Sequence, residues 1–251
     1  MPEQKIQTRL VDGYTYSDAP VVAALGPYRY AFPANLYDDQ IGPAIGGGVG
    51  LTLMWPELRA APPGARANRS MADHYRAISV AVDHIDAVPI EDLLTRKTST
   101  EAVTEPGSIE RNDPRERLDL RVALPEQHGL TPYAIDKKRM DDYTVAYSQK
   151  YGRPPIRNPR FEDDWYVARG AAGGLASVIK CDQVVDGRQG LVIRDGVLVP
   201  DGLVPMAACN HFIVDETGRL SLFIIYPRAL LKEWKAIEGA VRDVISTYRI
   251  K

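Results

Sequence analysis

The sequence predicts an α+β fold, mainly antiparallel sheet with a long C-terminal helix packed on one face. Three features of Met206–Tyr248 lead there. Two apolar runs flank Asp215-Glu216-Thr217-Gly218, the pattern of a hairpin in which Gly218 takes the left-handed conformation. The second run, Leu220 to Tyr226, is apolar at successive positions, which describes a central strand covered on both faces. From Leu230 onward, the apolar positions 230, 231, 234, 237, 241, 244, 245 and 248 form one helical stripe sustained for about five turns. Pro227 stands just ahead of the stripe, where a missing N–H costs a helix nothing.

The rest of the chain supplies further strands. Residues 1–20 are polar and are expected to lie across the surface. Val21–Leu25 and Tyr28–Phe32 read as short strands broken by Gly26-Pro27. Ala34–Pro43 is a loop, and Leu51–Trp55 the next strand. Ala60–Asn68 carries Pro and Gly and reads as exposed. Ile78–Ile85 alternates as a strand, and Pro89 opens a short helix over Ile90–Arg96. Residues 97–117 are rich in charge, Pro and Gly and read as a long loop or mobile segment. Leu118–Leu124 and Tyr133–Ile135 resume as strands. Arg139–Lys150 fits a short helix or a strand. Gly152–Pro159, with three prolines, reads as a linker between an α+β half at 1–150 and a hairpin-plus-helix half at 151–251, although one continuous domain fits as well. Asp164–Arg169 and Leu175–Val184 pair as a hairpin, and Leu191–Ile193 and Val197–Val199 flank an Asp-Gly turn. Both halves run strand, strand, proline, helix. No residue identity supports a duplication, and that order is common in α+β proteins.

Composition narrows the function classes. The 251 residues carry a net charge of −2, so no basic stripe attracts nucleic acid. No run of about 18 apolar residues spans a membrane. The polar start Met1-Pro2-Glu3-Gln4-Lys5 shows no signal peptide, which fits either a cytosolic protein or a start placed after a removed signal or anchor.

Candidate chemistry is sparse. The glycines at 46–50 lack the Lys-Ser/Thr of a phosphate loop and the spacing of a dinucleotide fold, so a turn or bulge before a strand explains them. His74, His84, His128 and His211 show no zinc spacing. His84 with Asp86, and the pairs Asp38-Asp39, Asp141-Asp142 and Asp163-Asp164, are far more often ordinary strand-end and loop groups than acid–base partners or metal ligands. No catalytic residue, cofactor-binding residue or metal ligand is assigned. Cys181 and Cys209 leave three readings: a disulfide, two buried thiols, or a nucleophile at Cys209 served by His211. The even count favours the disulfide in an oxidising compartment, closing roughly 27 residues and contributing roughly 3–4 kcal/mol through chain entropy.

Several stretches together resemble bacterial immunity proteins of type VI secretion: Tyr30–Pro43, Gly47-Gly48-Val49, Trp55-Pro56, Gly129–Tyr133, Asp164–Arg169, Cys181, Cys209–Phe212 and Trp234–Glu238. The resemblance implies a periplasmic or membrane-anchored inhibitor, not an enzyme, that neutralises a toxic effector, often a phospholipase or lipase, by occluding its active site. The missing anchor leaves a cytosolic protein directed against a nuclease as an alternative, and an uncharacterised hydrolase as another. For an inhibitor, variable loops supply the contact surface. Asn35–Gly50 and Ala60–Arg69 fit that role, with Tyr37, Arg66 and Arg69 as the expected anchors.

Overall fold

The computed structural model describes residues 6–43, 47–157 and 162–250. Its strands are β1 (Thr8–Val11), β2 (Tyr14–Ser17), β3 (Pro20–Leu25), β4 (Tyr28–Pro33), β5 (Val49–Met54), β6 (Ala77–His84), β7 (Arg121–Ala123), β8 (Thr131–Ile135), β9 (Asp164–Arg169), β10 (Leu175–Cys181), β11 (Leu191–Arg194), β12 (Val197–Pro200), β13 (Ala208–Asp215), β14 (Leu220–Pro227) and β15 (Arg249–Ile250). The helices are α1 (Met71–Arg76), α2 (Leu93–Lys97), α3 (Lys137–Tyr151) and α4 (Trp234–Tyr248). Gly46 of the glycine run, Asn158-Pro159 of the expected linker and the first five residues lie outside the described residues.

An antiparallel eight-stranded sheet in the order β5-β6-β14-β13-β10-β9-β8-β7 organises the molecule. It bears out the α+β reading and the central place of the Met206–Tyr248 stretch. A three-stranded sheet, β15-β4-β3, and the hairpins β1-β2 and β11-β12 stand beside it. The large sheet takes β5–β8 from before residue 150 and β9, β10, β13 and β14 from after it. We therefore propose one continuous domain, because β6 and β14 hydrogen-bond across the expected boundary, Phe223 opposite Ala81 and Ile224 opposite Val80.

The helical stripe docks as its spacing requires. Trp234, Ile237, Val241 and Ile245 are buried, with Leu230 and Leu231 in a 3₁₀ turn that precedes α4. They join Val80, Val82, Leu222, Ile224 and Ile213 of one sheet face in a single core. The trace of that face is visible in β6, where Ile78, Val80 and Val82 are buried and Ser79 and Asp83 exposed. Such alternation marks a sheet with one covered and one solvated face.

Local expectations change or resolve at four places. Gly218 does not carry the left-handed residue of the β13-β14 turn; Arg219 does, at φ 50°. Glycine at 218 lets Asp215 fold over it to accept the Gly218 N–H at 3.0 Å; a Cβ there would meet that carboxylate at 2.6 Å and displace it. Residues 97–117 form turns and a 3₁₀ segment, Ile109–Asn112. Arg111 ties that segment by donating to the carbonyls of Thr104 and Glu101. Leu118–Leu120 is a 3₁₀ turn, and only Arg121–Ala123 pairs as a strand. The ambiguous stretch near Arg139 is helical, with Asp136 accepting the Arg139 N–H at its N-terminus and Gly152 in the left-handed conformation at its end, both standard helix-end devices.

Candidate partner-binding surface

The loops expected to offer contact residues are tied down. Tyr37 is fully buried, and its hydroxyl donates to the Val21 carbonyl at 3.0 Å. Its backbone bridges Leu51 at the outer edge of β5. Burial raises the phenol to about 12. The Arg66 side chain is also buried, 6% exposed. Its guanidinium donates to the carbonyls of Asn35 at 3.2 Å, Asp38 at 3.1 Å, and Tyr37. Burial lowers Arg66 to about 10, with Arg69 nearby adding to the effect and Asp38 opposing it. Three carbonyls facing one guanidinium explain why a cation is kept there: without it, buried acceptors would be unpaired. Tyr37 and Arg66 are therefore scaffold and not contact side chains. Arg69 is exposed.

Cys181 and Cys209 face each other across β10 and β13 and form a disulfide. Both are fully buried, so Cys209 holds no thiol for the nucleophile reading. Two residues on, His211 is fully buried on the same sheet face. Its Nδ1 lies 3.4 Å from the Tyr226 hydroxyl. Its Nε2 lies 3.4 Å from Glu238 on α4, long for a hydrogen bond. Burial would raise the Glu238 carboxyl, but His211, a 2.6 Å bond from Ser177 and a 2.8 Å bond from Arg242 hold it near 2. Burial in turn lowers the His211 pKa. The neutral imidazole and ionised carboxylate pin α4 to β10 and β13, the imidazole fully buried and the carboxylate partly so.

The other predicted groups disperse. His84 packs against Gly26, whose Cβ position it fills, and Asp86 is exposed. Asp39 accepts the N–H groups of Ile41 and Gly42, Asp142 pairs with Lys138, and Asp164 pairs with Arg228. Among the described residues, no three His, Cys, Asp or Glu side chains converge as a metal site.

What the structure does assemble is an open half-sheet. On the face opposite α4, register places Gly50, Ala81, Phe223, Phe212, Val178 and Val167 in one row across six strands. Val178 and Val167 are buried; α2 packs against β10 and β13, and Val167 lies with Leu118 and Trp165 in a small apolar cluster. Phe212 and Phe223 are half-buried and stacked, with centroids 4.9 Å apart and planes 8° from parallel. In the next row Ile225 is 37% exposed. The expectation that Leu220–Tyr226 is covered on both sides is thus corrected: on this face Ile225 is exposed and Phe223 only half-buried. The missing signal was in the neighbour strand, because Ser79, Ala81 and Asp83 of β6 lie on that same face and are too small or too polar for a covered one.

The cover thins at β13, which α2 still contacts. Lys97, at the end of α2, stands 4.9 Å above the Phe212 ring. Within the covered half, Lys180 and Arg121 lie 3.8 and 4.1 Å from the Trp165 ring, and burial lowers Lys180 to about 8. On the open side two carboxylates border the row. Asp38 lies over Gly50, and Asp83 over Gly48, where a Cβ would meet each carboxylate at 2.6 Å. Neither aspartate is in an ion pair among the described residues.

No family model and no curated sequence matches the chain. Among solved structures it is similar to Smlt3025, an immunity protein of the Stenotrophomonas maltophilia type IV secretion system. The TM-score is 0.91 and the identity 47%, over 98% of this chain and 99% of that one. The sequence resemblance had reached the immunity class through type VI secretion; the system of this relative is type IV.

Proposed function

This chain belongs to the family of secretion-system immunity proteins that Smlt3025 represents, and from that premise we propose that it binds a cognate toxic effector of a type IV secretion system and blocks the effector's substrate entrance. The observation that carries the reading is 47% identity maintained over essentially both full chains. We place the protein in the periplasm, which the Cys181–Cys209 disulfide supports, since such bonds persist in oxidising compartments. No helix among the described residues is long and apolar enough to cross a membrane. The compartment favours an effector that attacks the cell envelope, a phospholipase first.

The test is co-expression of this chain with the effector encoded beside it, each exported to the periplasm. Cells are expected to survive only when both are made, and the purified pair to form a 1:1 complex. An effector that still kills, with no complex recovered and turnover of a small substrate by this chain, would replace the inhibitor with the hydrolase alternative. Protection in the cytoplasm alone would move the site of action and bring a nuclease effector forward.

A further inference from the structure

We infer that the effector docks on the open half of the eight-stranded sheet, over the Phe212–Phe223 stack, and that it brings an apolar contact flanked by basic side chains. The inference rests on the immunity reading and adds the surface and the partner's chemistry.

The first argument is residue type against exposure. The solvated face of an antiparallel sheet is ordinarily polar. Here the row that packs the covered half continues into the open half as apolar side chains: Val178 gives way to Phe212 and then Phe223. Aromatic side chains at the centre of a contact patch supply large area at little entropic cost and are the commonest hot spots. Next to the stack the floor is built of Ala81 and Gly50 on one row and Ser79 and Ser221 on the neighbouring rows. A floor of small residues beside two rings leaves room for protruding side chains from a partner. The patch has the form of an apolar centre inside a polar rim.

The second argument is charge. Asp38 and Asp83 both bend over the glycines of β5 on this same face. Glycine at 48 and 50 is what lets the two carboxylates lie there. Asp83 is exposed, and both side chains are free of ion pairs among the described residues. The cation at the opposite border, Lys97, is already placed over Phe212. A partner with Arg or Lys facing the β5 side satisfies the aspartates and is steered toward the patch before contact. An acidic partner would meet repulsion from Asp38 and Asp83.

Binding of the exported effector to purified wild-type chain is measured first. Absence of binding there speaks against the immunity reading itself and not against the surface. Given binding, Phe223→Glu is expected to weaken it at least about 30-fold, the scale of a hot-spot loss. Ser221→Arg, which deletes no packed side chain, keeps the test valid if Phe223→Glu fails to fold, and is expected to weaken binding similarly. Asp83→Lys should slow association about 10-fold and flatten its dependence on salt. Leu203→Asp, at the most exposed large apolar residue among those described and in the excursion between β12 and β13, should leave binding unchanged. The proposal is overturned if folded Ser221→Arg binds like wild type, or if Leu203→Asp abolishes binding instead. It is also overturned if the open face pairs two copies of this chain, seen as a dimer that Ser221→Arg converts to monomer with effector affinity intact.

Discussion

Glu238 is the residue on which the buried polar layer turns. Its carboxylate receives Ser177 and Arg242 directly and faces His211 at 3.4 Å. Linkage fixes the sign of its effect on stability. The carboxyl is held near 2 in the folded chain, against an ordinary 4.5. Between those values the unfolded chain binds the extra proton, so the contribution of Glu238 is complete above about 4.5 and is lost as pH falls toward 2. His211 acts in the same sense. Its folded pKa lies below the ordinary 6.5, so the unfolded chain protonates first and stability declines as pH drops below 6.5. Thermal melts are expected to show a fall beginning near pH 6.5 and steepening below pH 4.5. Glu238→Gln should cost about 1–3 kcal/mol at pH 7 through the ionic hydrogen bonds it weakens and should flatten the lower part of that fall. A melt profile of the variant parallel to wild type would show that the carboxylate is not coupled as described. At this scale the sequence is legible unevenly. The pairing of Cys181 with Cys209 could be anticipated from two cysteines each at the end of an apolar run. Tyr37 and Arg66 could not be placed, because a loop Tyr or Arg has the same local sequence whether it reaches a partner or turns inward to backbone carbonyls 16 to 31 residues away.

At the scale of elements, α4 and the β10–β13 pair hold the rest in place. Trp234 sits in the first turn of α4, 5% exposed, with its indole N–H donating to the His128 carbonyl at 2.8 Å and its ring 6.1 Å from His211. Trp234→Ala should cost about 3–5 kcal/mol, since it leaves both a cavity and an unpaired carbonyl; an unchanged melting temperature would mean that the helix is not docked there. The disulfide ties the ends of an excursion that leaves at Cys181 and returns at Cys209, a sequence separation of 28. Non-reducing digestion should yield one peptide joining the two cysteines, and replacing both by alanine should cost roughly 3–4 kcal/mol. Two thiols that alkylate freely in protein made under oxidising conditions would exclude the bond. The α4 stripe was readable because eight apolar positions at helical spacing have one physical interpretation. The β7 region was not, because Leu118–Leu120 serves a 3₁₀ turn whose contacts come from Thr98, which donates no local signal but accepts the Leu118 N–H through its carbonyl at 2.9 Å.

For the whole molecule, the two strand–strand–proline–helix units noticed in the sequence meet back to back. β6 of one pairs with β14 of the other, and β5 and β13 flank them. Their helices go to opposite faces, α4 over His211 and α2 toward Phe212. α4 spans 15 residues and α2 only 5, so one face is closed and the other closed only in part. This unequal coverage creates the open half-sheet; β6 carries its trace in Ser79, Ala81 and Asp83, but assigning those residues to the face of Phe223 takes long-range register. The likeness to Smlt3025 identifies the class of function; the open face supplies a physical location for it. The direct test is hydroxyl-radical footprinting of this chain alone and in complex with its neighbouring effector, read at individual side chains by mass spectrometry. Oxidation of Phe212, Phe223 and Ile225 is expected to fall several-fold in the complex while Leu203 reacts as before; unchanged labelling of the two phenylalanines in a saturated complex would contradict the account.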